Sequence, residues 1–149
     1  MNRDFVEMLA ALSAAGVEFL IVGAYAMAAH GLPRATGDID IWVRPTRENA
    51  AHLMRALEAF GAPTFDLTID DFIRPDTVFQ IGVAPARIDI LTGITAVGFD
   101  EAWLNRLTVG IDDQIVSVLG VEELIRNKTA TGRPRDQADL IWLRELKKG

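Results

Sequence analysis

Residues Gly23 to Val43 read GAYAMAAHGLPRATGDIDIWV. In the last six, Asp38 to Val43 (DIDIWV), the β-branched Ile39, Ile41 and Val43 alternate with Asp38, Asp40 and Trp42, which is the pattern of a strand and not of a helix. Side chains alternate faces along a strand, so Asp38, Asp40 and Trp42 share one face. Ile39, Ile41 and Val43 share the other and can pack on helices. Upstream, Ala24 to Ala29 reads as a short helix, and Gly31, Pro33 and Gly37 mark a loop. Phe19-Leu-Ile-Val22, just before the stretch, is a short apolar β-rich run, a buried strand broken by Gly23.

Working outward, residues 4–15 carry helical apolar spacing at Phe5, Met8, Leu9 and Leu12, with Gly16 as a stop. Thr46 is a good N-cap for an amphipathic helix from Arg47 to Phe60, ended by Gly61. Thr77 to Val83 and Arg87 to Leu91 read as strands, with Pro85 in the turn between them. A helix is expected over Phe99 to Leu107. Thr108 to Ile111 and Ile115 to Val118 flank Asp112-Asp113 as a hairpin. Val121 to Thr131 is a helix stopped by Gly132, and Pro134 opens a last helix to about Lys147. Mixed strands and helices with a hairpin-joined pair give an α+β (mixed α/β) fold: one mixed sheet with helices packed on it.

The 149 residues match the length of one ordinary domain, spanning 1–149, and can bury a real core. Hydrophobic residues make up 50% and charged residues 24%, which is globular composition. There are no cysteines, which excludes disulfides, Cys-ligated zinc, iron–sulfur clusters and a thiol nucleophile. With only His30 and His52 as histidines, any metal would be a hard cation on carboxylates. The net charge of −6 argues against coating duplex nucleic acid by bulk electrostatics, though not against a locally basic cleft. The longest apolar run, Phe19 to Ala29, falls short of the roughly 20 residues that span a bilayer. Asp4 and Glu7 interrupt the N-terminal apolar stretch, so no signal peptide and no membrane partner are expected, and the default location is cytoplasmic.

Asp38 and Asp40 lie about 7 Å apart along one strand face, at about 3.3 Å per residue. Two carboxylates at that spacing can grip a divalent cation, and without one they repel. An exposed acidic face on a half-buried strand explains a lone Asp-x-Asp equally well. Three features weigh against that plainer reading. Arg87-Ile-Asp-Ile-Leu91 repeats the logic and offers Asp89 as a third carboxylate. Gly23 follows a strand and opens a helix, where free backbone N–H groups favour phosphate and a glycine lets the backbone approach closely. Arg34 and Thr36 precede the aspartates and can touch the same anion. Phosphate at a helix start plus three carboxylates for Mg2+ (or Mn2+) is what nucleotidyl transfer needs.

On these residues the chain resembles the DNA polymerase beta type nucleotidyltransferase superfamily. Its signature is an apolar strand, Gly-Gly or Gly-Ser, a spacer, Asp-x-Asp, and a third Asp on a later strand. The local form is similar to small bacterial nucleotidyltransferases, including abortive-infection-type toxins and lincosamide-modifying enzymes. Leu124 to Leu143 (LIRNKTATGRPRDQADLIWL) is similar to their tail. The resemblance touches roughly residues 17–47, 87–91 and 119–143. It implies a polymerase-beta-like fold, with Asp38, Asp40 and Asp89 catalytic and metal-binding and Asp89 the best base toward the acceptor hydroxyl. It implies that Gly23, Ala24, Arg34, Thr36 and Lys128 bind the NTP. It also implies an acceptor that is an RNA end such as tRNA, a protein or a small molecule, with an antitoxin as a further partner. Ala24 departs from the pattern, because the serine hydroxyl that would hold a triphosphate oxygen is missing. The alternative is a catalytically eroded nucleotide-binding or interaction module of the same fold.

Other residues have plainer readings. His30 reads as a loop or capping histidine and His52 as solvated helix surface. Asp70-Asp71 and Asp112-Asp113 read as turn or cap residues. Outside the resemblance Lys128 reads as a solvated helix face. Asp136 and Asp139 lie one helical turn apart and can pair with Arg133 or Arg135, or help position an acceptor. Trp42 either stacks on a base or packs half-buried. No Gly-x-Gly-x-x-Gly and no Walker A lysine motif is present.

Overall fold

The computed structural model describes residues 1–33, 36–83 and 86–149. The elements run α1 (Arg3–Ala14), β1 (Phe19–Val22), α2 (Gly23–Ala29), β2 (Asp38–Val43) and α3 (Arg47–Phe60). They continue β3 (Val78–Ile81), β4 (Arg87–Leu91), α4 (Phe99–Leu104), β5 (Leu107–Ile111), β6 (Gln114–Val118), α5 (Val121–Thr131) and α6 (Pro134–Lys148). The strands form one mixed sheet in the order β3-β4-β2-β1-β6-β5. β1 runs antiparallel to β2, while β2 is parallel to β4 and β1 to β6. The expected α+β class, with one mixed sheet and packed helices, is what the chain adopts.

The core follows from the alternation. Ile39 and Ile41 are fully buried on one sheet face, and Met8, Leu9 and Leu12 of α1 are fully buried in the same core cluster. The opposite face changes character along β2. Trp42, its cross-strand partner Leu20, and Val22 opposite Asp40 are buried. Trp42 meets the Phe99 ring edge-on at 5.0 Å between centroids. With 1% of its surface exposed it cannot stack on a base, so both earlier readings of Trp42 give way to full burial under α4. Two residues back along the same face, Asp40 and then Asp38 reach the open end of the sheet.

Several boundaries differ from expectation for local reasons. α4 ends at Leu104, not Leu107, because Leu107 joins the β5–β6 ladder opposite Val118. β3 is shorter than Thr77–Val83: the Thr77 N–H is taken by the Thr92 hydroxyl at 2.8 Å, and Gly82 turns the chain at φ +81°. Pro85, expected in the β3–β4 turn, lies outside the described residues. Between α3 and β3, where no element is expected, a 3-10 turn spans Ile69–Phe72 and buries Phe72. Asp71 caps that turn by accepting the Thr68 N–H at 2.8 Å, and Asp70 pairs with Arg47, so the capping reading of this pair holds for Asp71. His52 is partly buried, with its Nδ1 3.2 Å from the Gly16 carbonyl, and is not simply solvated.

Candidate active site

The parallel β2–β4 register sets Asp40 beside Asp89 and Asp38 beside Arg87. Residues paired across a ladder share a face, so all four side chains point one way. They floor a cavity of about 410 Å³ that Gly23, Ala24 and Thr36 also line. The Thr36 hydroxyl accepts the Asp38 N–H at 3.2 Å and so shapes the turn into β2. Arg34 lies outside the described residues.

The carboxylates do not stand in unrelieved repulsion. Arg87 Nε donates to Asp89 at 2.9 Å, and its Nη2 donates to Asp89 at 3.1 Å and to Asp38 at 3.2 Å. The expectation of a bare acidic cluster is corrected here by a cation that the chain itself supplies. Alternation along Arg87-Ile-Asp placed Arg87 on the face of Asp89, and that was the available signal for it. Asp40 fares worse. Burial first, then the charge of Asp89 and a hydrogen bond with it, push its carboxyl up to about 6, with Arg87 offsetting only part.

Gly23 makes room for the Asp40 carboxylate. It sits at φ +70°, and a Cβ there would fall 2.3 Å from Asp40 Oδ2. A side chain at this position therefore strains the fold as well as any phosphate contact. Gly23→Ala is expected to lower the melting temperature by several degrees, since the left-handed conformation alone costs about 1–2 kcal/mol for a residue with a Cβ. The loss should shrink in the Gly23→Ala/Asp40→Ala double variant, which removes the clashing carboxylate. Equal losses in single and double variants by thermal melting would show that Asp40 is not what Gly23 accommodates.

The opposite wall comes from α5 and α6: Lys128, Arg133, Arg135, Asp136 and Asp139. Lys128 is not a solvated helix face. It is 8% exposed, with Nζ 2.9 Å from Asp139 and 3.4 Å from Asp136, so it ties α5 to α6. Asp136 also accepts Arg133 Nε at 2.8 Å and the Thr131 hydroxyl at 2.7 Å. Burial alone would raise the Asp136 carboxyl, but these hydrogen bonds and the nearby cations hold it well below the usual range. The pairing expected for Asp136 with Arg133 is present, whereas Asp139 pairs with Lys128. Arg135 is exposed at the cavity. Arg133 and Arg135 enter the sequence reading only as partners for these aspartates, because nothing local says that a helix start faces a distant strand.

His30, at the end of α2, has Nε2 2.8 Å from the Leu119 carbonyl, the residue before Gly120 at the start of α5. A carbonyl only accepts, so Nε2 carries the proton and the histidine fastens one cavity wall to the other.

Among the described residues no three His, Asp or Glu side chains already converge as a metal cage. The donor set suits a hard cation, with three carboxylates and no thiol or imidazole, although Arg87 already occupies two of those carboxylates.

The cavity thus sets three carboxylates on the β2–β4 floor across from Lys128, Arg133, Arg135, Asp136 and Asp139 on the α5–α6 side. The chain belongs to a family of nucleotidyl transferases of unknown function (DUF2204), whose model matches residues 1–148. Its fold is similar to that of a candidate nucleotidyltransferase from Thermotoga maritima, with a TM-score of 0.60 and 17% identity over 97% of this chain and 96% of that one. No curated protein gives a match. Among the described residues no helix is long and apolar enough to cross a membrane.

Proposed function

We propose that the chain moves a nucleoside monophosphate from an NTP to an acceptor hydroxyl with the help of a divalent cation. The observation that carries this reading is the single cavity in which Asp38, Asp40 and Asp89 face Lys128, Arg133 and Arg135. Asp38, Asp40 and Asp89 would hold Mg2+ or Mn2+, which when bound supplies charge neutralisation at the phosphates and acidifies a bound hydroxyl. Arg133 and Arg135 add, from the wall opposite the acidic floor, positive charge that a triphosphate needs. Gly23 and Ala24 offer backbone without side-chain bulk at the cavity wall, and Thr36 offers a hydroxyl. Lys128 holds the basic wall in place through Asp136 and Asp139. In the transfer the acceptor oxygen bonds to the α-phosphorus, the bond to the β-phosphate bridging oxygen breaks, and pyrophosphate leaves. The acceptor proton passes to Asp89.

The acceptor is an RNA end such as tRNA, a protein or a small molecule; the toxin role, with an antitoxin as partner, rests on the resemblance to abortive-infection-type enzymes alone. Incubation of the protein with each labelled NTP, Mg2+ or Mn2+, and total RNA or lysate distinguishes the acceptors by where label appears. Ala24, which lacks the hydroxyl of a Gly-Ser pair, favours a second reading as a nucleotide-binding module without transfer. That reading expects nucleotide binding with no label on any acceptor.

A further inference from the structure

Arg87 stands opposite Asp38 in the β2–β4 ladder and two residues before Asp89. Its guanidinium holds Asp89 through both terminal oxygens and reaches Asp38 with the same Nη2. Asp89 is 7% exposed, so this fork is its main contact with positive charge, while the arginine itself stays about one-third open to the cavity. Two of the three carboxylates assigned to a cation are thus already committed to a fixed one.

We infer that Arg87 is an internal counter-ion that competes with the divalent cation for Asp38 and Asp89, so that the chain alone binds the bare ion weakly. This rests on the metal-dependent reading above. Two courses are open when a dication approaches. Either the guanidinium stays and repels it at contact distance, or it turns away and gives up three charge-assisted hydrogen bonds. Both weaken binding. A phosphate changes the balance, because the arginine fork matches phosphate oxygens as well as carboxylate ones. An incoming NTP offers Arg87 a replacement anion and leaves Asp38 and Asp89 to the metal. In the empty protein the same residue keeps the acidic floor from repelling itself apart.

The test is titration of the chelator-treated full chain with Mn2+ alone, read by loss of the free-ion EPR signal. Wild type, Arg87→Gln, Arg87→Lys and Asp40→Asn are compared. Arg87→Gln is expected to bind Mn2+ about tenfold tighter than wild type or better, since a unit charge at contact distance is gone. Without metal it should melt lower than wild type, and Mn2+ should raise its melting temperature more. Arg87→Lys keeps the charge but not the fork, and should fall between the two. If Arg87→Gln does not fold, Arg87→Lys decides: tighter binding supports competition and unchanged binding overturns it. Equal or weaker binding by Arg87→Gln, with binding lost in Asp40→Asn, overturns the inference and leaves the metal site standing. No Mn2+ on either wild type or Arg87→Gln overturns both.

Discussion

Asp40→Asn is expected to abolish nucleotidyl transfer while making the metal-free protein more stable at pH 7. Activity falls because an amide cannot supply the charge that would help hold a cation beside Asp38 and Asp89. Stability rises because the folded protein resists ionising this carboxyl. Its folded value is about 6 against an ordinary 3.8, through burial and the neighbouring Asp89. The sign follows from linkage: a raised acid loses nothing below its unfolded value, because it is protonated in both states. Between about pH 4 and pH 6 the unfolded chain ionises first and the fold is penalised progressively. By about pH 7 the penalty is essentially complete, on the order of 3 kcal/mol before screening by solvent is allowed for. Asparagine never carries it. The variant should therefore melt several degrees higher than wild type at pH 7 to 8 in chelator, at about 2–4 °C per kcal/mol. The gain should vanish near pH 4. An equal gain at both pH values would mean that Asp40 is not the strained group, and full transfer activity in the variant would remove it from the chemistry.

Much of this site was readable from alternation. DIDIWV and RIDIL fixed which side chains share a face, and the register of β2 with β4 then brought Asp40 and Asp89 together. The helix ends were also local: Gly61 and Gly132 close α3 and α5 in the left-handed conformation, and Pro134 opens α6. What was not readable is what lies across from a residue. A lysine in a helix is presumed wet, and Lys128 is buried only because Asp136 and Asp139 on the next helix face it. Trp42 has its face set by sequence, but its cover, Phe99, comes from α4. Arg87 obeyed the same-face rule as Asp89, yet its partner Asp38 lies on another strand, and that contact turns a flanking residue into the counter-charge of the site.

The largest loss of stability is expected at the opposite wall, in Asp136→Ala. Asp136 is fully buried and gathers Arg133, Thr131 and Lys128. Its carboxyl is held below the usual range, so the stability it contributes is full above about pH 5 and is lost progressively as the pH falls through the ordinary carboxylate range and below. Removing one partner of a buried pair costs far more than the pair contributes, about 3–5 kcal/mol, because the other charge stays buried. Here Lys128 keeps Asp139 but loses its second carboxylate, and the Thr131 hydroxyl and the Arg133 fork lose their acceptor. A loss of about 3 kcal/mol corresponds to a fall of roughly 6–12 °C for a chain of this size. Asp136→Asn, which keeps the shape and one acceptor oxygen, should lose less. Arg135→Ala supplies the contrast. Arg135 is exposed at the same cavity, so its removal should leave the melting temperature nearly unchanged, within about 0.5 kcal/mol of stability. It should nevertheless weaken NTP binding several-fold if it meets the triphosphate. Thermal melting and a nucleotide titration on the two variants separate the roles: Asp136 holds the wall together, and Arg135 gives the wall its charge. A melting temperature for Asp136→Ala within a degree or two of wild type would mean that α5 and α6 are held by their apolar contacts alone.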